Sequence, residues 1–151
     1  MARATRTMLV GLLAAIGATS ACASLKAPTM HVEGVRVGKP HVTGIPMDVD
    51  FRIQNPNPED LRVDKVEYEL ILNGVRLGRG YIADGFDLRG FDQATVSSRF
   101  EMSLLRLPAG VREVLEHDRA KARARGKFYV RDEGASHEIG FDSEAEISLK
   151  K

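Results

Sequence analysis

The sequence is dominated by segments in which apolar and polar residues alternate, and this pattern most constrains the fold. Met47, Val49, Phe51 and Ile53 are separated by single polar residues, and 138–149 repeats the pattern over a longer stretch. Because successive side chains of a strand point to opposite faces, such alternation is typical of strands with one buried and one solvated face. The pattern predicts seven strands, at 32–37, 47–53, 61–72, 75–83, 96–104, 127–131 and 138–149.

Two local features refine the strand at 61–72. The apolar residues of 61–63 are in the opposite phase to those of 66–72, which predicts a β-bulge near Asp64. Asn73-Gly74 then supplies two residues that accept positive φ angles, as a two-residue hairpin turn requires. The sequence therefore predicts that 75–83 pairs back on the preceding strand.

One segment departs from the alternation and indicates a helix. Pro108 suits a first helical position, Val111, Val114 and Leu115 form a short apolar stripe, and Gly126 is a suitable helix end. The segment therefore predicts a helix that begins at Pro108 and ends before Gly126.

A run of basic residues occupies the second half of this predicted helix, at Arg119, Lys121, Arg123 and Arg125. Acids precede the run at 113–118, an order that suits the helix dipole. We interpret the run as a solvated helix end, because the nearby acids cancel much of its field and no aromatic residue is interleaved. The alternative is a site for phosphate or anionic lipid.

These elements together indicate a single all-β domain. Seven short strands, turn signals between them and one short helix favour an antiparallel β-sandwich of immunoglobulin or fibronectin type III type. The alternative is a small barrel, which the same alternation permits. We place this domain at 30–151, since removal of residues 1–21 leaves 130 residues, the size of one domain.

The N-terminus has the organisation of a bacterial lipoprotein signal peptide. Two arginines precede an eleven-residue apolar run, 8–18. At about 1.5 Å per residue this run is too short to cross a hydrocarbon core of about 30 Å. Thr19-Ser20-Ala21-Cys22 then resembles the lipobox at which exported proteins are acylated and cleaved. We predict a signal peptide at 1–21, a lipid on Cys22 and a tether at 22–29; the alternative is an ordinary secreted protein.

These features predict a location in the cell envelope. Cys22 is the only cysteine, so no intramolecular disulfide can form in an oxidising periplasm. Ala23 stands where aspartate resembles an inner-membrane retention signal in enteric bacteria, so we expect a lipid anchor at the periplasmic face of the outer membrane. Loss of two arginines with the signal peptide leaves a net charge near −1, which predicts no affinity for nucleic acid.

The order of motifs resembles a known family over residues 30–149. The extended segment 51–58 ends in Asn-Pro-Asn-Pro, a strand pair with the Asn-Gly turn follows, and 126–130 is a later strand that begins with glycine. This order resembles the type 2 late embryogenesis abundant domain, also called the water stress and hypersensitive response (WHy) domain. The resemblance implies a β-rich module linked to desiccation and other water stress.

The motif Asn55, Pro56, Asn57 and Pro58 has a physical role that does not depend on the family. Both prolines lack a backbone donor and bias the preceding asparagines toward extended geometry. Strand pairing must therefore stop at this point. We interpret the four residues as a structural motif and not as ligand-binding residues.

Searches for other kinds of site give weak candidates. The four histidines are scattered, without the spacing of a zinc site, and are interpreted as surface or turn residues. Two Gly-Phe-Asp triplets, at 85–87 and 90–92, supply oxygens that suit calcium, but their spacing matches no EF-hand loop. We interpret 84–92 as a polar loop with two phenylalanines beneath it. We therefore predict no metal, no cofactor and no catalytic residues.

Three functions remain open from the sequence. The first is a non-enzymatic lipoprotein that protects envelope proteins or membranes under desiccation, as the family resemblance implies. The second is an adaptor that docks on an envelope protein complex, for example through an edge strand. The third is a carrier that holds an acyl chain inside the sandwich or barrel. An enzyme ranks last, because no nucleophile has a suitable partner in the sequence.

Overall fold

The computed structural model describes residues 24–132 and 134–150, so the predicted signal peptide and Cys22 lie outside the described residues. This part of the chain contains all seven predicted strands and one additional short strand. The elements in chain order are β1 (Thr29–Val37), β2 (Gly44–Gln54), β3 (Leu61–Leu72), β4 (Val75–Ile82), β5 (Phe86–Leu88), β6 (Gln93–Ser103), a 3-10 turn (Leu104–Arg106), α1 (Val111–Glu116), β7 (Arg119–Asp132) and β8 (Ala135–Lys150).

The described strands form one mixed sheet in the order β4-β3-β7-β8-β1-β2-β6, with β5 beside β3. Most neighbours are antiparallel, but β1 and β8 run parallel, with Gly34 opposite Ser148 and Val35 opposite Leu149. The prediction of an all-antiparallel sheet is therefore wrong at this pair. Alternation assigns a residue to a face of the sheet, but it carries no information on the direction of the neighbouring strand.

The sheet curls until its two outer strands, β4 and β6, approach each other, which makes it nearly barrel-shaped. Across this seam the Tyr68 hydroxyl donates to Ser98 Oγ at 2.8 Å, and Ser98 Oγ donates to the Tyr81 carbonyl at 2.9 Å. The immunoglobulin or fibronectin type III sandwich is not confirmed. A small barrel describes the sheet better, because β7 and β8, with 14 and 16 residues, are long enough to twist and coil around a single core.

Inward-pointing side chains fill the space that the curled sheet encloses. Phe51 and Phe128 are fully buried, and the rings of Phe51 and Tyr68 meet edge to face at 4.7 Å. Burial raises the pKa of Tyr68 to about 12, so its hydroxyl stays a neutral donor at physiological pH. Aromatic residues therefore occupy the centre of the enclosed space.

The structure confirms both refinements of the β3 region. The register of β3 against β7 shifts between Val63 and Lys65, which is the bulge predicted near Asp64. Asn73 and Gly74 have φ angles of +46° and +81°, and β4 pairs back on β3 directly after them. Positive φ at both central positions matches the right-handed twist of the flanking strands.

The predicted helix from Pro108 to Gly126 is mostly wrong. Its first part forms only α1, with Val111 and Val114 buried. The basic run belongs to β7, where Ala120, Ala122 and Ala124 alternate with it and point into the core. Alanine favours helices, but apolar and basic residues alternate in this segment. The segment forms a strand, because only a strand buries these three alanines on one face. No helix of the described residues is long and apolar enough to span a membrane.

The strand registers define two ends of the sheet. We call one the tether end, formed by 24–28, 55–60, 83–92 and the paired residues Asp132 and Ala135 of β7 and β8, because β1 begins there. We call the other the distal end, formed by 38–43, the Asn73-Gly74 turn and 104–118. The sequence motif Asn55 to Pro58 therefore lies at the end where the chain joins the domain.

Candidate functional site

Asn55 is the centre of a buried hydrogen-bond network at the tether end. Its Nδ2 donates to the carbonyls of Glu59, Leu88 and Arg89 at 2.8, 3.3 and 3.2 Å. Its Oδ1 accepts from the backbone N and the Nδ2 of Asn57, at 2.9 and 3.0 Å. Both the Nδ2 and the Oδ1 of this buried amide have hydrogen-bond partners. Loss of any partner would leave a buried polar group without a hydrogen bond, so the network holds these segments in one arrangement.

Asn57 connects this network to the chain that leads into β1. Its Nδ2 donates to the Lys26 carbonyl at 2.8 Å, and its Oδ1 accepts from the Lys26 backbone N, also at 2.8 Å. The Asn57 side chain thus pairs with both backbone groups of Lys26, as a residue of a neighbouring strand would. Leu25, one residue earlier, already packs against the core. We call Asn55 and Asn57 together the asparagine clamp, because they fix the lead segment to the domain.

The loop 84–92 packs directly on the motif. Gly90 lies so close that a Cβ there would be 1.9 Å from the Pro58 carbonyl oxygen, and its N donates to Asp60 Oδ1 at 2.9 Å. The Phe91 N donates to the Asn57 carbonyl at 2.9 Å. The loop and the motif therefore form one unit, and a side chain at position 90 has no room.

The two prolines lie immediately beyond β2, which ends at Gln54. Up to that residue β2 pairs with β1 on one side and β6 on the other. Pro56 is half-buried, whereas Pro58 is exposed and offers its carbonyl to the close contact with Gly90. The prolines mark the point at which the chain leaves the sheet, and the asparagine before each proline makes the hydrogen bonds.

The loop differs in one respect from the sequence prediction. Phe86 is half-buried in β5, but the Phe91 side chain is 69% exposed, so the prediction of two phenylalanines beneath the loop is wrong for Phe91. Two of the loop acids have protein partners: Asp87 accepts from Arg62 at 3.1 Å, and Asp92 accepts from the Gln93 N at 2.8 Å. All four histidines are exposed, as predicted. Within 24–132 and 134–150, no three potential metal ligands come together.

The basic residues of β7 pair with the acids of β8 on the outer face of the sheet. Lys121 lies 2.7 Å from Glu144, and Arg123 Nε lies 2.7 Å from Asp142 Oδ1. The guanidinium of Arg123 lowers the pKa of Asp142 through this hydrogen bond. Arg119 with Glu146 and Lys127 with Glu138 follow the same arrangement. The run is thus neither a helix end nor an unpaired basic patch.

A groove of about 620 Å³ lies on the outer face of β4, β3 and β7. At its floor Glu69, only 8% exposed, accepts from Arg125 Nε at 2.8 Å and also contacts Arg76. Two guanidinium groups, from β4 and β7, bind this carboxylate of β3, so the cluster joins three strands. Sequence reasoning missed the cluster because the three residues come from separate strands.

The hydrogen bonds at the tether end join three segments that are distant in the sequence. Sequence reasoning identified the motif but missed Lys26 as the partner of Asn57, because the two are 31 positions apart. The clamp therefore holds Lys26 beside the motif.

The sequence model of the late embryogenesis abundant protein family LEA_2 matches residues 50–145, which is more than half of the chain. The chain belongs to the LEA_2 family. The matched region begins in β2 just before the asparagine clamp and ends in β8, so it includes the motif, the loop 84–92 and the β7–β8 face. No curated protein sequence gives a significant match to this LEA_2 chain.

Solved structures agree with this assignment at the level of the fold. The solution structure of AT1g01470 from Arabidopsis thaliana is 14% identical, with a TM-score of 0.56 over 85% of this chain and 88% of that chain. The solution structure of At2g46140.1, named as a late embryogenesis abundant protein, is also 14% identical, with a TM-score of 0.52 over 87% of this chain and 76% of that chain. Family and fold together support a general function of late embryogenesis abundant type.

Proposed function

We propose that this LEA_2 protein is a non-enzymatic lipoprotein of the WHy type, anchored through Cys22 to the periplasmic face of the outer membrane. In this proposal its folded domain protects neighbouring envelope proteins or membranes when water is withdrawn. The observation that carries the proposal is the asparagine clamp, because it holds Lys26, four residues after the predicted acylation site, to a domain of this family.

A rigid junction of this kind suits an anchored protein. A freely jointed tether would let the domain take any orientation, whereas Leu25 and Lys26 are already fixed against the core and the clamp. Only Ala23 and Ser24 lie between the predicted lipid-bearing cysteine and this junction. A lipid at Cys22 would therefore hold the tether end close to the membrane surface.

The outer face is suited to protection by a folded surface. Pairs of opposite charge, such as Lys121 with Glu144 and Arg123 with Asp142, cover β7 and β8. Exposed pairs contribute little to stability, but they keep a polar, nearly neutral surface around the domain. Such a surface can replace water at other polar surfaces without strong selectivity for either charge.

A drying assay tests the protective role. The soluble domain, dried together with a drying-sensitive enzyme, should preserve more enzyme activity than an equal mass of albumin. Gly126→Ala is a suitable control, because a Cβ at this position would lie 1.9 Å from the Glu67 carbonyl and disrupt the β3–β7 contact. Protection no better than that of albumin would reject the protective role, and equal protection by Gly126→Ala would show that the fold is not needed.

A second candidate function is an adaptor, and the distal end favours it. Val42 and Leu105 expose 96% and 94% of their side chains at this end, away from the predicted anchor. Isolated exposed apolar residues are common, but two at one end of a small domain suit a weak docking contact. Crosslinking in intact cells distinguishes the functions, since an adaptor gives one dominant partner and a protective protein gives many.

A further inference from the structure

Phe91 is an exposed aromatic residue in an unfavourable backbone conformation. Residues 89–92 form a turn in which the Asp92 N donates to the Arg89 carbonyl at 3.1 Å, and Phe91 in its third position has a φ of +57°. A positive φ there is ordinary for glycine or asparagine and uncommon for a bulky residue. Because 69% of Phe91 remains exposed, the domain gains little burial from its ring.

The turn around Phe91 is fixed from both sides. Gly90 lies too close to the Pro58 carbonyl to carry a side chain. The apolar side chain of the turn is therefore at the next position, Phe91. The Phe91 N donates to the Asn57 carbonyl, and the Asn55 side chain donates to the Arg89 carbonyl. The exposed ring is therefore presented by a rigid turn.

Phe91 lies next to the point where the chain leaves the domain. Asn57 accepts from the Phe91 backbone through its carbonyl and binds Lys26 through its side chain. Leu25 packs against the core, so only the segment from Cys22 to Leu25 separates this point from the predicted lipid. Three residues of extended chain span at most about 10 Å, which brings the tether end within reach of the headgroup layer.

The charges around Phe91 suit a zwitterionic membrane surface. Lys26 and Arg89 are exposed cations on either side of the clamp, and such side chains reach headgroup phosphates while their stems stay against apolar groups. Two neighbouring acids are occupied within the fold: Asp60 accepts from the Gly90 N and Asp92 from the Gln93 N. The other exposed acids of 55–60 and 83–92 are Glu59, Asp84 and Asp87, and their negative charges disfavour a strongly anionic surface.

We propose that Phe91 is a second membrane contact, whose ring enters the boundary between headgroups and acyl chains when the lipid on Cys22 is inserted. The lipid and the ring, joined by the asparagine clamp, then hold the tether end on the membrane and point the distal end away from it. This inference rests on the proposed anchoring.

The absence of tryptophan from the sequence allows a direct test. Phe91→Trp and, as a matched control at the distal end, Leu105→Trp each give the full-length lipoprotein a single indole. The acylated proteins are inserted into phosphatidylcholine–phosphatidylethanolamine vesicles, with or without bromine on the acyl chains. We expect the emission of Phe91→Trp to shift to the blue when the protein is inserted into either kind of vesicle, because the indole leaves water. Bromine should then reduce this emission about twofold and leave that of Leu105→Trp unchanged.

The other outcomes contradict the proposal in distinguishable ways. Equal emission of Phe91→Trp in both kinds of vesicle, from protein that floats with the vesicles, would reject the contact and leave the anchor intact. Failure to float would reject the anchoring and the contact with it. Quenching of Leu105→Trp would reject the orientation. If Phe91→Trp does not fold, Arg89→Trp in the same turn carries the reporter, with the same expected quenching.

Discussion

The two ends of the sheet are built in different ways. At the tether end, buried amides of Asn55 and Asn57 connect the lead segment, the motif and the loop 84–92, and Gly90 is packed against backbone. At the distal end the turn residue Asn73 is exposed, and α1 has only six residues and no side-chain cap at its start. Leu105 there exposes 94% of its side chain.

The difference shows which end of the sheet is held in a fixed geometry. Buried side-chain hydrogen bonds are costly to leave incomplete, so they specify one arrangement more strongly than exposed contacts do. In this protein they are concentrated where the chain enters the domain. The tether end is therefore held more tightly in one geometry than the distal end.

The largest expected effect comes from Asn55→Ala. It removes two amide N–H donors, which three carbonyls share, and two accepted hydrogen bonds in a buried position. We expect a loss of about 3 kcal/mol in the free energy of unfolding. Asn73→Ala is the matched control at the distal end, where one bond to the Lys121 N is lost and about 1 kcal/mol is expected. Urea unfolding measures both, and equal losses would remove the contrast between the ends.

Gly90→Ala should have the next largest effect. Its Cβ would meet the Pro58 carbonyl oxygen at 1.9 Å, so the loop must move, at a cost of about 2 kcal/mol. Gly74→Ala meets no atom within 4 Å and carries only the strain of a φ of +81°, about 1 kcal/mol. Thermal unfolding compares the two variants. A smaller loss for Gly90→Ala than for Gly74→Ala would mean that the loop is not fixed on the motif.

Asn57→Ala should loosen the lead segment more than it destabilises the domain. The variant loses both hydrogen bonds to Lys26, and the free energy of unfolding should fall by about 1–2 kcal/mol. Trypsin cleavage after Lys26, followed by mass spectrometry, should become several times faster than in the wild type. Asn73→Ala serves as the control, with no change at this site. An unchanged cleavage rate in Asn57→Ala would contradict the clamp.

Leu105→Ser should have the smallest effect. Its side chain is 94% exposed, so we expect a change within about 0.5 kcal/mol in either direction. Thermal unfolding against the wild type gives the measurement. A loss of unfolding free energy comparable to that of Asn57→Ala would show that Leu105 packs within the domain. The distal end would then be held in a fixed geometry as strongly as the tether end.

Much of the strand pattern was predictable, because alternation reports burial directly. Three predictions are confirmed: the strand from Met47 to Ile53, the bulge near Asp64 and the hairpin at Asn73-Gly74. The segment 119–126 was assigned to a helix because the apolar stripe before it, the ordered charges and Gly126 suit a helix, although its period of two already matched a strand. The short strand β5 was missed, since three residues are too few for a pattern.

Long-range relations were beyond the sequence. The parallel pairing of β1 with β8 depends on how the whole sheet curls, and no local pattern encodes it. The hydrogen bonds between Asn57 and Lys26 could not be predicted from the sequence either, because local turn chemistry is enough to explain asparagine in an Asn-Pro pair. The exposed position of Phe91 was missed because an apolar residue is by default assigned to the core.

The central proposal is that a membrane-anchored LEA_2 domain gives protection during water loss, and Cys22→Ala tests it most directly. A strain lacking the protein is complemented with the wild type or with Cys22→Ala, and survival after drying is measured together with the lipid content and membrane fraction of each form. We predict that the variant is not acylated, leaves the membrane fraction and fails to restore survival. Full restoration by the released, folded variant would contradict the account.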